Sequence, residues 1–402
     1  MNKTNYKPVI GIIEYILLFL GFFEFTGRGT YFLLFFCAFY FFSHFRTFSI
    51  EMDLGSFIFY IFIAFYAIFT ARYLGVANLL MPLCAFLLYC ISRSYAAKSN
   101  NTGEIGKMIF VMVLGITAHG LINFAINIST PSNYTIRTVV DVWTRTKQLA
   151  TGNLALFIPI MGASFVTIFI GNKKPLIRIF GIVSVGCGVL FSIVFATRYI
   201  FYLFFIVIAV ELVVFLFTEK DALKKKSVIT WFIVILIIAV IVLALDIFKI
   251  RMALFTSNLA MRLEEFEENT AFTSVDRSKQ IMKVLSNITL YLWGGKPTGM
   301  PFIHNAWLSV LNFGGIFMFI PFTIFTIRFV VNVFACAKKV DMYSFLFLLG
   351  YMICVMVYCY LEPLLEGSKI LFYSLCFMAG FVEGIVFKPV KKKKNPCKDI
   401  DS

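Results

Sequence analysis

Residues 303–326 read IHNAWLSVLNFGGIFMFIPFTIFT, an apolar run introduced by a histidine and an asparagine. A hydrocarbon core takes about 20 such residues to cross as a helix. The run does not alternate with period two, so a strand of a membrane barrel is excluded and a helix remains, because backbone polar groups in lipid must be satisfied within a helix or a closed barrel. The rest of the chain has the same character. Its 402 residues are 60% hydrophobic and only 14% charged, with 50 phenylalanines and a mean hydropathy of +0.89. That lies outside the range of a soluble globular domain.

Working outward, apolar runs at 9–26, 30–45, 54–71, 75–92, 107–128, 151–171, 176–195, 198–217, 228–248, 303–326, 343–361 and 369–387 predict about twelve transmembrane helices. The fold class is an all-α polytopic membrane protein with one transmembrane domain over 1–387 and a basic tail over 388–402. The first run has no small-residue cleavage pattern and more spans follow it, so it reads as a helix rather than a signal peptide. Two connections are long: 129–150, and 249–302 between spans nine and ten. No repeat relates the two halves, which argues against an inverted-repeat transporter.

The formal charge of +15 does not point to nucleic acid. With both termini cytoplasmic, the short inner segments are basic and hold 22 of the 36 Lys and Arg, as the positive-inside rule requires. Nine cysteines, an odd number without a C-x-x-C, sit mostly in apolar runs and read as small buried hydrophobes. With only three histidines, neither a metal site nor a cofactor is expected.

Positive charge on the outer side runs against the topological rule. Lys249, Arg251, Arg262, Arg277, Lys279, Lys283 and Lys296 fall in the larger outer loop, and Arg137, Arg145 and Lys147 in the other. An anionic ligand at the outer face explains them most simply. In the larger loop, Phe255, Leu259, Leu263 and Phe266 share a helical face. A second helix is predicted from about Ser274, where Thr273-x-x-Asp276 resembles a capping box, with Ile281, Met282, Leu285 and Ile288 on one side. The WGGKPTGMP segment at 293–301 then ends it. Both helices are expected to lie in the plane of the outer interface.

Several residues in this setting can carry chemistry, each with a plainer alternative. Arg198 falls at an outer hairpin with Tyr202 on its face; a guanidinium there suits a diphosphate, or simply reaches for the interface. Arg277 opens the second loop helix beside Asp276, with which it can form an ordinary salt bridge. His304 can accept a proton from an attacking hydroxyl, or only fill the start of its span. His119, Asn123 and Asn127 make a polar stripe on the fifth span, read as interhelical hydrogen bonding before catalysis. Glu362 and Glu366 can line the same outer cavity or pair with Lys369. Glu14, Glu24, Glu211 and Asp246 receive no assignment.

Taken in order, Thr197-Arg198, Asp276-Arg277, Trp293-Gly294-Gly295 with Gly299, and His304-Asn305 followed by Leu308 and Gly314-Gly315 resemble the O-antigen polymerase and ligase superfamily, the Wzy-type polysaccharide polymerases. The earlier loop, Arg137-x-x-x-Asp141-x-Trp143-x-Arg145 before Ala150-Thr151-Gly152, resembles polysaccharide polymerases too. One departure is that Thr197 and Tyr199 flank the hairpin arginine, where relatives commonly have Ser and Gly. The resemblance implies a metal-independent glycosyltransferase in the bacterial plasma membrane, with its active site facing outward. It would move a polyprenyl-diphosphate-linked glycan of an O-antigen, capsule or exopolysaccharide to the hydroxyl of a lipid-linked acceptor. Arg198 and Arg277 would stabilise the leaving diphosphate and His304 would serve as base. Arg137, Asp141, Trp143, Arg145, Tyr202, Asp276, Asn305 and Glu362 would bind substrate. The partners implied are the lipid-linked donor and acceptor, the bilayer, a flippase and a chain-length regulator. A ligase acting on a different acceptor is the alternative within the class, and a flippase for the lipid-linked sugar the alternative outside it. The lack of a D-x-D-like cluster argues against a nucleotide-sugar donor.

Overall fold

Apolar runs become helices here because lipid offers no partner to an open backbone, and the starts of several are set by capping side chains. The computed structural model describes residues 10–46, 48–50, 52–99, 102–130, 138–162, 175–195, 198–244, 272–286, 289, 292–293 and 303–387. The first five helices are α1 (Ile12–Phe22), α2 (Gly29–Ser43), α3 (Leu54–Leu74), α4 (Leu80–Lys98) and α5 (Thr102–Ser129). A hairpin of β1 (Thr138–Val140) and β2 (Lys147–Leu149) follows, antiparallel with Val139 opposite Gln148. Then come α6 (Ala150–Leu154), α7 (Ile158–Met161), α8 (Pro175–Val194), α9 (Arg198–Thr218), α10 (Ala222–Ala244) and α11 (Phe272–Ser286). The chain closes with α12 (Ala306–Cys336), α13 (Met342–Leu361), the single turn α14 (Leu364–Gly367) and α15 (Lys369–Phe387).

Among the described residues six helices are long and apolar enough to cross a membrane: α3, α4 with the turn before it, α5, α12, α13 and α15. The chain is a multi-pass membrane protein built of helices, and its described strands are the one hairpin. Asp53 caps α3 by accepting from the Ser56 amide at 2.8 Å, and Asp341 caps α13 through Ser344 at 3.1 Å. The closest helix pair is α4 against α15. A Cβ on Gly380 would overlap the carbonyl of Tyr89, and one on Gly384 the carbonyl of Arg93. The G-x-x-x-G spacing therefore lets the two backbones touch, where dispersion rather than hydrophobicity holds helices together.

Three expectations change. The span expected over 303–326 continues to Cys336, because Arg328, read as an inner-loop cation, lies within the helix and is paired. Its guanidinium binds Glu383 of α15 and reaches Asp53 at 3.4 Å, while Arg93 of α4 meets Asp53 at 2.6 Å and Tyr89 donates to Glu383. Burial pushes the Asp53 carboxyl up, but the Ser56 bonds and the two arginines outweigh it and hold it below its ordinary value. The span expected over 151–171 is broken: α6, a 3-10 turn at Ala155–Phe157 and α7 stand in its place up to Met161, with Pro159 early in α7. The continuation over 163–174 lies outside the described residues. Among the described side chains of the loop helix α11, Val284 is buried, packed with Ile303 and Leu311, whereas Met282 and Leu285 point outward.

The span α12 is bent where the opening stretch carries Gly314-Gly315. Gly315 has φ +64°, a left-handed conformation that glycine adopts without penalty. The next amide, Ile316, donates to the carbonyl of Leu292 at 2.9 Å, and Trp293 packs on Phe317. The end of the large loop is thereby pinned to the bend.

Candidate functional site

The polar stripe on α5 builds the site. Asn127 exchanges two bonds with the main chain of Val140, donating to its carbonyl at 2.8 Å and accepting from its amide at 2.9 Å, as a neighbouring strand would. Asn123 accepts from the Val142 amide at 2.9 Å and donates to Asn153 at 2.5 Å. His119 donates through Nε2 to Asp141 at 2.9 Å. The stripe therefore holds the β1–β2 hairpin rather than a neighbouring span. It is worth holding so firmly because a short two-stranded hairpin is only marginally stable by itself.

Asp141 is the centre of that anchorage. Oδ1 accepts from the backbone of Trp143 at 3.0 Å, the backbone of Thr144 at 2.9 Å and the Thr144 hydroxyl at 3.1 Å. Oδ2 accepts from His119 and from Asn123 at 3.2 Å. Burial pushes the Asp141 carboxyl up, but the bonds from His119, the Thr144 amide and Asn123 outweigh it and hold the group well below the carboxylate range. Trp143, expected to bind substrate, donates its indole N–H to the Phe23 carbonyl at 3.2 Å and packs edge-on against Phe23 and Phe25. It clamps the hairpin to the turn after α1. Arg145 closes the hairpin at φ +55° with its side chain exposed.

The hairpin, the turn after α1, the start of α12 and the segment between α13 and α15 enclose a cavity of about 660 Å³. It lies at the end of the bundle away from the Asp53, Arg93, Arg328 and Glu383 network. Among its described lining residues are four carboxylates, Glu24, Asp141, Glu362 and Glu366, and one lysine, Lys369. Lys369 pairs with Glu24 at 3.1 Å, so the competing pairing considered for Glu362 does not form.

Glu362 instead meets His304, Oε2 to Nδ1 at 3.0 Å. The two come from opposite ends of neighbouring elements: His304 stands before α12 and Glu362 just after α13. A carboxylate on Nδ1 selects the tautomer that carries its proton there, which makes Nε2 the ring's acceptor. Glu362 is 4% exposed, while the imidazole is a quarter exposed. The buried partner orients and the half-buried ring can meet a ligand. Asn305 neither touches the imidazole nor faces the cavity: its Oδ1 caps α12 at the Leu308 amide, 3.0 Å, and its amide donates to the Tyr360 carbonyl at 3.3 Å. That bond ties the start of α12 to the end of α13, and so fixes the separation of His304 and Glu362.

The remaining expected residues are placed less fully. Arg198 opens α9, Tyr202 follows on the same helix, and Asp276 and Arg277 are on α11; their side chains lie outside the described residues, as does Arg137 altogether. Two cavity residues were not singled out from sequence. Glu24 had no assignment, although a carboxylate before Thr26-Gly27-Arg28-Gly29 sits in a turn rather than a span, and Lys369 figured only as a possible partner for Glu362 and Glu366. Among the described residues no group of His, Cys, Asp and Glu is arranged to hold a metal ion. Compared with models of known protein families and with curated proteins, the chain matches none.

Proposed function

We propose that the protein is a polysaccharide polymerase that transfers a polyprenyl-diphosphate-linked glycan to a hydroxyl of a lipid-linked acceptor at the outer face of a bacterial plasma membrane. The observation that carries this reading is the His304–Glu362 pair, whose carboxylate lines the cavity, at the point where the large loop returns to the membrane. In this reading twelve spans carry both termini inside, the loop over 249–302 lies outside, and the cavity opens outward. The acceptor oxygen attacks the anomeric carbon as its proton passes to Nε2 of His304, and Glu362 stabilises the imidazolium that forms. The bond from the anomeric carbon to the diphosphate oxygen breaks with its electron pair, and the configuration inverts. Arg198 and Arg277 are assigned to the departing diphosphate.

The test is chain growth by purified protein in lipid nanodiscs supplied with a synthetic lipid-diphosphate-linked repeat. Wild type is expected to give a ladder of products, and His304→Ala none. A wild-type protein that leaves the repeat unextended, or a His304→Ala ladder equal to wild type, overturns the reading.

A further inference from the structure

A histidine other than His304 lines the cavity itself. His119 is 1% exposed and lines the cavity. Its Nε2–H is committed to Asp141, so in the neutral ring Nδ1 is an acceptor, and that atom has no hydrogen-bond partner. The nearest carboxylate, Oε2 of Glu24, is 3.8 Å away, beyond hydrogen-bond reach. Buried acceptors are seldom left without a donor, and each exception calls for an explanation.

Glu24 is itself unusual. It sits at φ +51°, with Thr26 two residues on at φ +55°, and non-glycine residues rarely take that conformation. Backbone strain of this kind persists where the surroundings enforce it, and it gathers at binding sites. Here it holds a carboxylate on the cavity wall between Lys369 and His119. An imidazole acceptor, a carboxylate acceptor and an ammonium donor thus converge on one place.

We infer that His119, Glu24 and Lys369 form a sugar subsite that takes a neutral or amino-substituted pyranose by two neighbouring hydroxyls, one donating to Nδ1 of His119 and the other bonded to Glu24 and Lys369. Assigning this sugar to the acceptor rests on the transfer proposed above; the binding chemistry does not. Four carboxylates against one lysine in the described lining select against a uronic acid by like-charge repulsion. The subsite lies on the wall built by α5 and the turn after α1, whereas His304 and Glu362 belong to α12 and α13.

The test is saturation-transfer NMR on the protein in nanodiscs, with the methyl glycosides of glucose, galactose, N-acetylglucosamine, glucosamine and glucuronic acid as probes. His119→Gln keeps an N–H for Asp141 while removing Nδ1, so the hairpin stays anchored. Lys369→Met leaves the hairpin bonds untouched and serves as the second variant. A neutral or amino glycoside is expected to bind the wild type and the glucuronide is not. Either variant is expected to raise Kd about tenfold, the factor carried by roughly 1.4 kcal/mol. The inference is overturned if no glycoside binds wild type, if the glucuronide binds best, or if both variants bind as wild type does. A wild type that binds these glycosides but never extends a lipid-linked repeat retains the subsite and removes the polymerase. Chain growth in a protein whose glycoside binding ignores both variants does the reverse.

Discussion

Asp141→Asn tests whether the carboxylate or merely its shape holds the hairpin. The amide keeps Oδ1, which still accepts from the Trp143 and Thr144 backbone and from the Thr144 hydroxyl. It replaces Oδ2 by an NH2 group that faces two N–H donors, His119 Nε2 at 2.9 Å and Asn123 Nδ2 at 3.2 Å. Asn123 cannot turn away cheaply, because the Val142 amide and Asn153 hold its two ends. Two hydrogen bonds to a carboxylate are lost, the longer at 3.2 Å being the weaker, roughly 2–4 kcal/mol together. That raises the equilibrium for hairpin opening about 30- to 1000-fold, at roughly 1.4 kcal/mol per decade. Hydrogen exchange of the 138–149 segment, measured by mass spectrometry in nanodiscs at neutral pH, reads this opening directly. The sign of the pH dependence follows from the depressed carboxyl. Its contribution is complete above the unfolded carboxylate value of about 4 and is lost as pH falls through the lower folded value. After correction for intrinsic rates, wild-type protection is therefore expected to be level down to about pH 5 and to fall only in stronger acid. Exchange in Asp141→Asn within about threefold of wild type would refute the reasoning, since a loss that small is under 1 kcal/mol.

Other substitutions probe separate parts of the argument. Glu362→Gln keeps the size of the side chain but removes the charge opposite Nδ1 of His304, and is expected to slow single-turnover glycan transfer by about 10²- to 10⁴-fold; an unchanged rate removes Glu362 from the reaction. Gly384→Leu forces a side chain into the Arg93 carbonyl and Ala96, and thermal unfolding in detergent should show a loss of about 1–3 kcal/mol or more. Equal stability would mean that α4 and α15 are not in contact there. Glu383→Gln leaves Arg93 and Arg328 short of a counter-charge in the interior and is expected to cost about 3–5 kcal/mol. The double variant with Arg328→Met should recover part of that in the same unfolding assay.

Some helix ends were legible because lipid thickness sets a length and an acidic or amide cap can set a start. α13 and α15 begin and end within a residue or so of the apolar runs at 343–361 and 369–387. Several of the errors share a cause: a polar residue announces a need without naming its partner. Arg328 looked like the end of a span because its acid, Glu383, arrives on another helix 55 residues later. Asn123 and Asn127 announced hydrogen bonding on α5, but nothing local says that the partner is the main chain of a hairpin. Trp143 was expected to bind substrate through the resemblance, while its N–H and its ring are both spent on the turn after α1. His304 and Glu362 each stand out in the sequence, but nothing local says that Asn305, by bonding the Tyr360 carbonyl, sets one beside the other.

The charge of the cavity bears on how a transfer reaction would be divided over the molecule. A departing diphosphate needs fixed positive charge, yet the described lining offers a single lysine, already bonded to Glu24. The polar part of that lining, carboxylates and amides with the imidazole of His119, suits hydroxyl groups far better than phosphate. In the proposed reading the enclosed cavity is therefore the glycan half of the site, and the diphosphate belongs with α9 and α11, which carry Arg198 and Arg277. His304 stands where these halves would meet, since α12 begins beside it and α11 packs on α12. Such a division also accounts for the pinning of the loop end at Gly315: the Ile316–Leu292 bond fixes the far end of the cationic loop relative to the imidazole. A base can act on an acceptor hydroxyl only if donor and acceptor are held to within a fraction of an ångström of the productive geometry. The bend in the opening stretch is then what sets the register between the two halves.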